Sequence, residues 1–248
     1  MGSVEAFTIQ IAGLVTRVQP LFISTQEYCR PYITDLDPDF FVVVTESDLV
    51  YQQELMEQEA LEEGFRIRKY GGPFLERATI QRKIAFELLN RDTLLLHGST
   101  VGVDGAAYLF TARCGTGKST HTRFWREVFG PRAVMVNDDK PFLKVTSSGV
   151  YAYGSPWSGK HGLDTNVCLP LKGICFLRRG DENRIRPVEA EGFLGELCHQ
   201  SLFPEEAAGQ DKGRALVKLL SQKVSLWEME CTKDPSAALV SYEAMSKG

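Results

Sequence analysis

The sequence predicts an α/β fold, strands and helices arranged around a P-loop and preceded by a β-rich N-terminal part. Three observations carry this. Ala112-Arg113-Cys114-Gly115-Thr116-Gly117-Lys118-Ser119 fits the relaxed P-loop spacing, with Ala where the stricter pattern has Gly. That loop lies between an apolar run, residues 106–110, and a helical pattern over residues 119–129, the setting its mechanism requires. Upstream, Asp104-Gly105 separates two apolar runs, and this dipeptide tolerates the positive φ angles of a tight hairpin.

Element by element, residues 7–24 are rich in β-branched and aromatic types and read as two strands around Ala12-Gly13. Residues 40–45 make a third strand. The acidic stretch 51–63 is either an exposed helix or an exposed strand edge, with Glu54 to Glu63 a solvated face. Gly71-Gly72-Pro73 is a break, placed as the boundary between an N-terminal part, about residues 1–72, and a core, about 73–248, of one compact domain. Helical spacing returns over residues 75–89. Residues 93–103 and 106–110 form the hairpin that feeds the loop. After the helix at 119–129, ended by Gly130-Pro131, strands follow at 133–136, 142–145, 150–153 and 173–177. Helices at 189–200, 212–222 and 236–245 and a strand at 224–231 complete the chain.

Bulk properties narrow the function. The net charge of −4, with cations scattered along the chain, argues against a nucleic-acid partner, while a small basic pocket for phosphates needs only a few cations. The longest pure apolar run, residues 40–44, is far too short to span a bilayer. Glu5 stands where a signal peptide carries basic residues, and the six cysteines contain no Cys-x-x-Cys pair. A cytoplasmic protein with reduced thiols and no membrane partner is expected. A homo-oligomer is compatible with the sequence.

The loop supplies the chemistry. Gly115 and Gly117 let the backbone of Arg113, Cys114, Gly115, Thr116 and Gly117 curl so that its amides face phosphate oxygens. The helix that starts near Lys118 and continues through Ser119 and Thr120 adds its positive end. Lys118 is expected to bridge terminal phosphates and the Ser119 hydroxyl to ligate Mg²⁺. Asp138 and Asp139 end the next strand; two adjacent acids allow one to hold metal and one to accept a hydroxyl proton. His97 ends a leucine run and is either a structural or a functional histidine. In Tyr153-Gly154-Ser155-Pro156-Trp157-Ser158-Gly159-Lys160-His161-Gly162, Lys160 is a candidate to neutralise charge developing during transfer, in a mobile loop; the alternative is a surface loop with one packed Trp. Arg178 and Arg179 read as solvated cations at a strand end, with a phosphate contact by one of them as the alternative, and His121 and Arg123 as structural.

A strand ending in His97-Gly98, a tight turn, an antiparallel strand, Gly115-x-Gly117-Lys118-Ser119 and then a strand ending in Asp138-Asp139 resembles HPr kinase/phosphorylase, and more loosely phosphoenolpyruvate carboxykinase. The resemblance covers about residues 94–145. It implies a mixed, largely antiparallel sheet flanked by helices, and transfer of phosphate from a nucleotide such as ATP, with Mg²⁺, to a serine of a peptide or protein or to a small-molecule hydroxyl. It also implies reversibility. By this resemblance Lys118 binds phosphates, one aspartate of the pair is the base and His97 contacts it; Asp138 is taken as the base with Asp139 nearer the metal, although adjacent positions in a sequence do not separate the two. The family's later Glu-x-Arg-Gly signature is missing, and the N-terminal part does not match the family's regulatory domain. Two other readings stand beside the kinase: a nucleotide-binding regulator without chemistry, and a carboxykinase-type enzyme.

Overall fold

Both glycine turns read from the sequence form as hairpins. Ala12 and Gly13 take φ values of 50° and 81°, and Asp104 and Gly105 take 53° and 81°. Two successive positive φ angles match a two-residue turn to the twist of its flanking strands. The computed structural model describes residues 4–62 and 64–247 and divides into two compact units, Met1–Glu87 and Leu88–Gly248. Glu63, the end of the acidic stretch, lies outside the described residues.

In the first unit, β1 (Phe7–Ile11) pairs antiparallel with β2 (Leu14–Gln19); after the short α1 (Ile23–Tyr28), β3 (Phe40–Val43) joins β2 in parallel. Two helices follow, α2 (Glu46–Glu62) and α3 (Gly72–Leu89), the last two residues of α3 being counted with the second unit. Up to Glu62, the acidic run left open between helix and strand is thus helical. Only Leu49 and Gln52 of α2 are buried, so its carboxylates stay in water. Glu76, buried on α3, accepts from the backbone N–H groups of Leu21 and Phe22 and from the Thr25 hydroxyl. A carboxylate there satisfies amides at the start of α1 that no side chain of α1 itself caps.

The second unit runs β4 (Thr93–Leu95), β5 (Ser99–Val103), β6 (Ala106–Thr111), α4 (Lys118–Phe129), β7 (Ala133–Asn137), β8 (Phe142–Thr146), β9 (Gly149–Tyr153), β10 (Cys168–Arg179), β11 (Arg184–Pro187), α5 (Leu194–His199), α6 (Ala207–Lys223), β12 (Ser225–Cys231) and α7 (Ser236–Met245). Its nine-stranded sheet has the order β4-β8-β9-β10-β6-β5-β7, with β12 also against β10 and β11 on β12. Every pair is antiparallel except β10 with β6 and β10 with β12. The sheet is mixed, largely antiparallel and flanked by helices.

Three departures from the sequence reading have local causes. Residues 93–103 are two strands, not one, because the chain crosses close over β6 at Gly98: a Cβ there would lie 2.9 Å from Leu109 Cδ2 and 3.1 Å from the Phe110 carbonyl oxygen. The helix expected over 189–200 shrinks to a 3₁₀ turn and the six-residue α5, in a stretch carrying Gly192 and Gly195, poor helix formers. Strand β11, Arg-Ile-Arg-Pro, has no buried residue and so no apolar alternation to reveal it.

Period-two alternation builds a core on each face of the sheet. Ala107 and Leu109 of β6 and Ile174 and Phe176 of β10 face one core with Leu197 of α5 and Leu216 and Leu220 of α6. Tyr108, Phe110, Cys175 and Leu177 face the other, with Phe124 and Trp125 of α4 and Ala237 and Ala238 of α7. Within that second core, His121 Nε2 lies 3.0 Å from Ser241 Oγ, and the Trp125 indole N–H donates to the same oxygen at 2.9 Å. These bonds tie α4, and with it the loop ahead of it, to α7.

Burial drives the His121 imidazole down to about 3, so it is neutral in the folded protein. The unfolded chain titrates near the ordinary 6.5 and binds a proton that the folded one refuses. Stability from this site is therefore complete above pH 6.5 and is lost on acidification. Between pH 7.5 and 5.5 the loss is about 1.4 kcal/mol. Urea unfolding should show the stability difference between the two pH values smaller by about that amount in His121→Phe; an identical difference in the variant would refute the assignment.

Candidate active site

Strand β6 carries the chain into a glycine loop. Gly115 and Gly117 adopt φ of 74° and 126°, and a Cβ on either would meet open space, so it is the backbone angle that selects glycine. The Thr116 N–H closes the turn on the Arg113 carbonyl at 3.2 Å. Helix α4 then starts at Lys118 with Gly117 as its N-cap, and no side chain caps it. Arg113, Cys114 and Ser119 are exposed, and Thr116, Gly117 and Thr120 partly so. Lys118 is buried, its Nζ donating to the Ala112 carbonyl at 3.1 Å. An uncapped helix start beneath a curled glycine loop, with an ammonium folded over it, has the chemistry of an anion site.

The two acids at the end of β7 occupy different surroundings. Asp138 is buried; its Oδ1 accepts the Ser99 hydroxyl at 2.7 Å, and Ser99 Oγ lies 2.7 Å from Thr122 Oγ1 on α4. Asp139 keeps 32% of its side chain open to solvent, and its Oδ1 lies 3.2 Å from His97 Nε2. The histidine therefore pairs with Asp139, not with Asp138 as the resemblance implied. Burial acts to raise the Asp139 carboxyl, but the His97 hydrogen bond and the charges of Lys140, His97 and Lys118 outweigh it and hold the group below its usual value. The loop lysine and the solvent-facing acid thus act on one another.

Backbone bonds set this arrangement. The His97 N–H donates to the Gln200 carbonyl at 2.7 Å, its carbonyl accepts the Thr111 hydroxyl at 2.9 Å, and the Gly98 N–H donates to the Asp139 carbonyl at 2.9 Å. Asn137 makes an Asx turn: its Oδ1 accepts the N–H groups of Asp139 at 2.8 Å and Lys140 at 2.6 Å. Its Nδ2 donates to the Ser155 carbonyl and hydroxyl and to the Trp157 carbonyl. Residues 154–158 are consequently buried and held, Trp157 among them. Within residues 153–162, Gly159 to Gly162 stand exposed, with Lys160 in the 3₁₀ turn Gly159–His161. Lys160 makes no ion pair among the described residues. Its neighbour Gly159 does approach the acids, since a Cβ on it would lie 3.2 Å from Asp139 Cβ.

The arginines at the end of β10 diverge. Arg178 is engaged by Glu196, at 2.8 and 2.6 Å, and by Glu228 at 3.2 Å, so it is not the solvated cation read from the sequence. Arg179 is exposed, and its Nη2 donates to the Gly115 carbonyl at 2.5 Å. Ser99, Thr122 and Asn137 were not among the candidates. Asn137 had a readable signal in the Asn-Asp-Asp turn, while the others depend on contacts between distant elements.

No three His, Cys, Asp or Glu side chains group to hold a metal among the described residues. The oxygen donors expected to hold Mg²⁺ differ in access: the Ser119 hydroxyl is exposed, Asp139 is partly open and Asp138 is buried against Ser99. No helix among the described residues is long and apolar enough to cross a membrane.

No protein-family model matches the chain, and no curated protein matches it. Among solved structures it is distantly similar to the Hpr(Ser) kinase/phosphatase from Coxiella burnetii, at 11% identity, over 62% of this chain and 99% of that one, with a TM-score of 0.36. So remote a likeness says nothing of which residues act.

Proposed function

We propose that the protein is a P-loop phosphotransferase that moves a phosphoryl group from a nucleotide such as ATP, with Mg²⁺, to a hydroxyl. The acceptor is a serine of a peptide or protein, or a hydroxyl of a small molecule. The observation that carries this reading is the junction of loop helix and acids: Ser99 joins Asp138 to Thr122 on α4, and beside Asp138 the Asp139 carboxylate is open to solvent and paired with His97. A site that only grips nucleotide has no need of a base.

In this reading the loop amides and the start of α4 bind the polyphosphate, and Lys118 neutralises charge on its terminal groups. The acceptor oxygen attacks the terminal phosphorus as the bond to the bridging oxygen breaks, and the acceptor proton passes to the Asp139 carboxylate. The His97 Nε2–H orients that carboxylate. Mg²⁺, when bound, would neutralise phosphate charge, and Ser119 and Asp138 are the residues that would hold it. The roles of the two acids are thus exchanged relative to the sequence expectation, because a base must reach the acceptor and Asp138 is buried against Ser99.

Incubation with Mg·ATP and a library of serine-containing peptides, read by mass spectrometry, tests the function. Lys118→Ala should reduce phosphorylation or nucleotide hydrolysis by about a hundredfold or more. Equal activity in wild type and variant, or a wild type that binds no nucleotide, would remove the basis of the proposal.

A further inference from the structure

Strand alternation sends Arg178 and Arg179 to opposite faces of the sheet. Arg178 follows Ile174 and Phe176 onto the α5 face, where Glu196 and Glu228 neutralise it. Arg179 follows Cys175 and Leu177 onto the face that carries α4. Strands β6 and β10 are parallel, with Phe176 opposite Thr111. Beyond that pair β6 gives way to the glycine loop, whereas β10 continues through Arg179. The guanidinium therefore arrives level with the loop and donates to the Gly115 carbonyl at 2.5 Å. No carboxylate pairs with it among the described residues. It uses a fraction of its fork of donors on that carbonyl and keeps its full charge.

We infer that Arg179 is a second cation of the polyphosphate site, holding the loop crown through Gly115 and presenting its remaining N–H groups to phosphate oxygens. The inference rests on the nucleotide reading above. It divides the phosphate charge between two cations of different character. Lys118 comes from within the loop as a buried point charge, and Arg179 comes from a neighbouring strand as an exposed planar fork suited to phosphate.

The test is calorimetric titration of the full chain with Mg·ADP, Mg·tripolyphosphate and adenosine, for wild type, Arg179→Gln and Arg179→Lys. Glutamine can still donate to Gly115 but carries no charge, while lysine keeps the charge. Arg179→Gln should weaken both phosphate ligands about tenfold, Arg179→Lys should stay within about threefold, and adenosine should bind all three proteins alike. Wild-type affinity for the phosphate ligands in Arg179→Gln would overturn the inference and leave the nucleotide reading standing. Equal losses in both variants, or a matching loss for adenosine, would make Arg179 a prop for the loop and also overturn it. A wild type blind to every phosphate ligand would dispose of the nucleotide reading itself.

Discussion

Asp139→Asn should slow phosphoryl transfer by about a hundredfold to ten-thousandfold while leaving nucleotide affinity within about threefold. The amide is the same shape and can still meet the His97 Nε2–H, so the geometry survives; what disappears is the capacity to take a proton. Asp138→Asn should behave differently. Its oxygen can still accept the Ser99 hydroxyl, but a neutral group is a poor Mg²⁺ ligand, so the variant should need more Mg²⁺ for half-maximal transfer. Measuring kcat and the Mg²⁺ requirement for both variants separates the two roles. Transfer that survives Asp139→Asn but is lost in Asp138→Asn would return the base to Asp138. The ionisation of Asp139 adds a pH signature. Because the carboxyl is held below its ordinary 3.8, it remains a carboxylate throughout the neutral range and well into acid. Any fall in wild-type rate between pH 7 and 5 must then come from another group.

The different partners of the two acids mark how far the sequence could be read. Gly115, Gly117 and the Asp104-Gly105 turn were legible because each answers to its own backbone angles, and φ is a local property. The hairpin and the alternating strands followed from the same kind of rule. Asp138 and Asp139 are neighbours at the end of one strand, and only the pleat and the crossing at Gly98 decide which carboxylate meets Ser99 and which meets His97. Ser99 lies 39 positions from Asp138, and Arg179 lies 64 from Gly115. Contacts of that range depend on strand order and register, which no short motif encodes. Arg178-Arg179 makes the point most directly: adjacent and chemically identical, they differ in partner because the pleat turns one toward Glu196 and the other toward the loop.

Gly154→Ala should destabilise the fold by about 2–4 kcal/mol, since overpacking against backbone leaves little room to relax. A Cβ on Gly154 would fall 1.9 Å from the Thr165 carbonyl oxygen and 2.9 Å from that of Val136. Neither oxygen can swing aside as a side chain would. The Gly154 N–H is bonded to the Val167 carbonyl at 3.1 Å, and the Thr165 N–H to the Val136 carbonyl at 3.3 Å, so the segments on both sides are fastened. Relief must therefore come from pushing residues 163–167 away from the end of β7. That same segment holds the site, because the Asp138 N–H donates to the Leu163 carbonyl at 3.0 Å. Loss of stability and loss of transfer should appear together. Gly162→Ala is the matched control: its φ of 59° is strained for alanine, but a Cβ there meets nothing within 4 Å. Its cost should be about 1 kcal/mol, through the backbone alone. Urea unfolding of the two variants beside wild type settles the comparison. A Gly154→Ala protein as stable as Gly162→Ala would mean that residues 163–167 yield freely, and that the acids of β7 owe their placement to Asn137 and Ser99 instead.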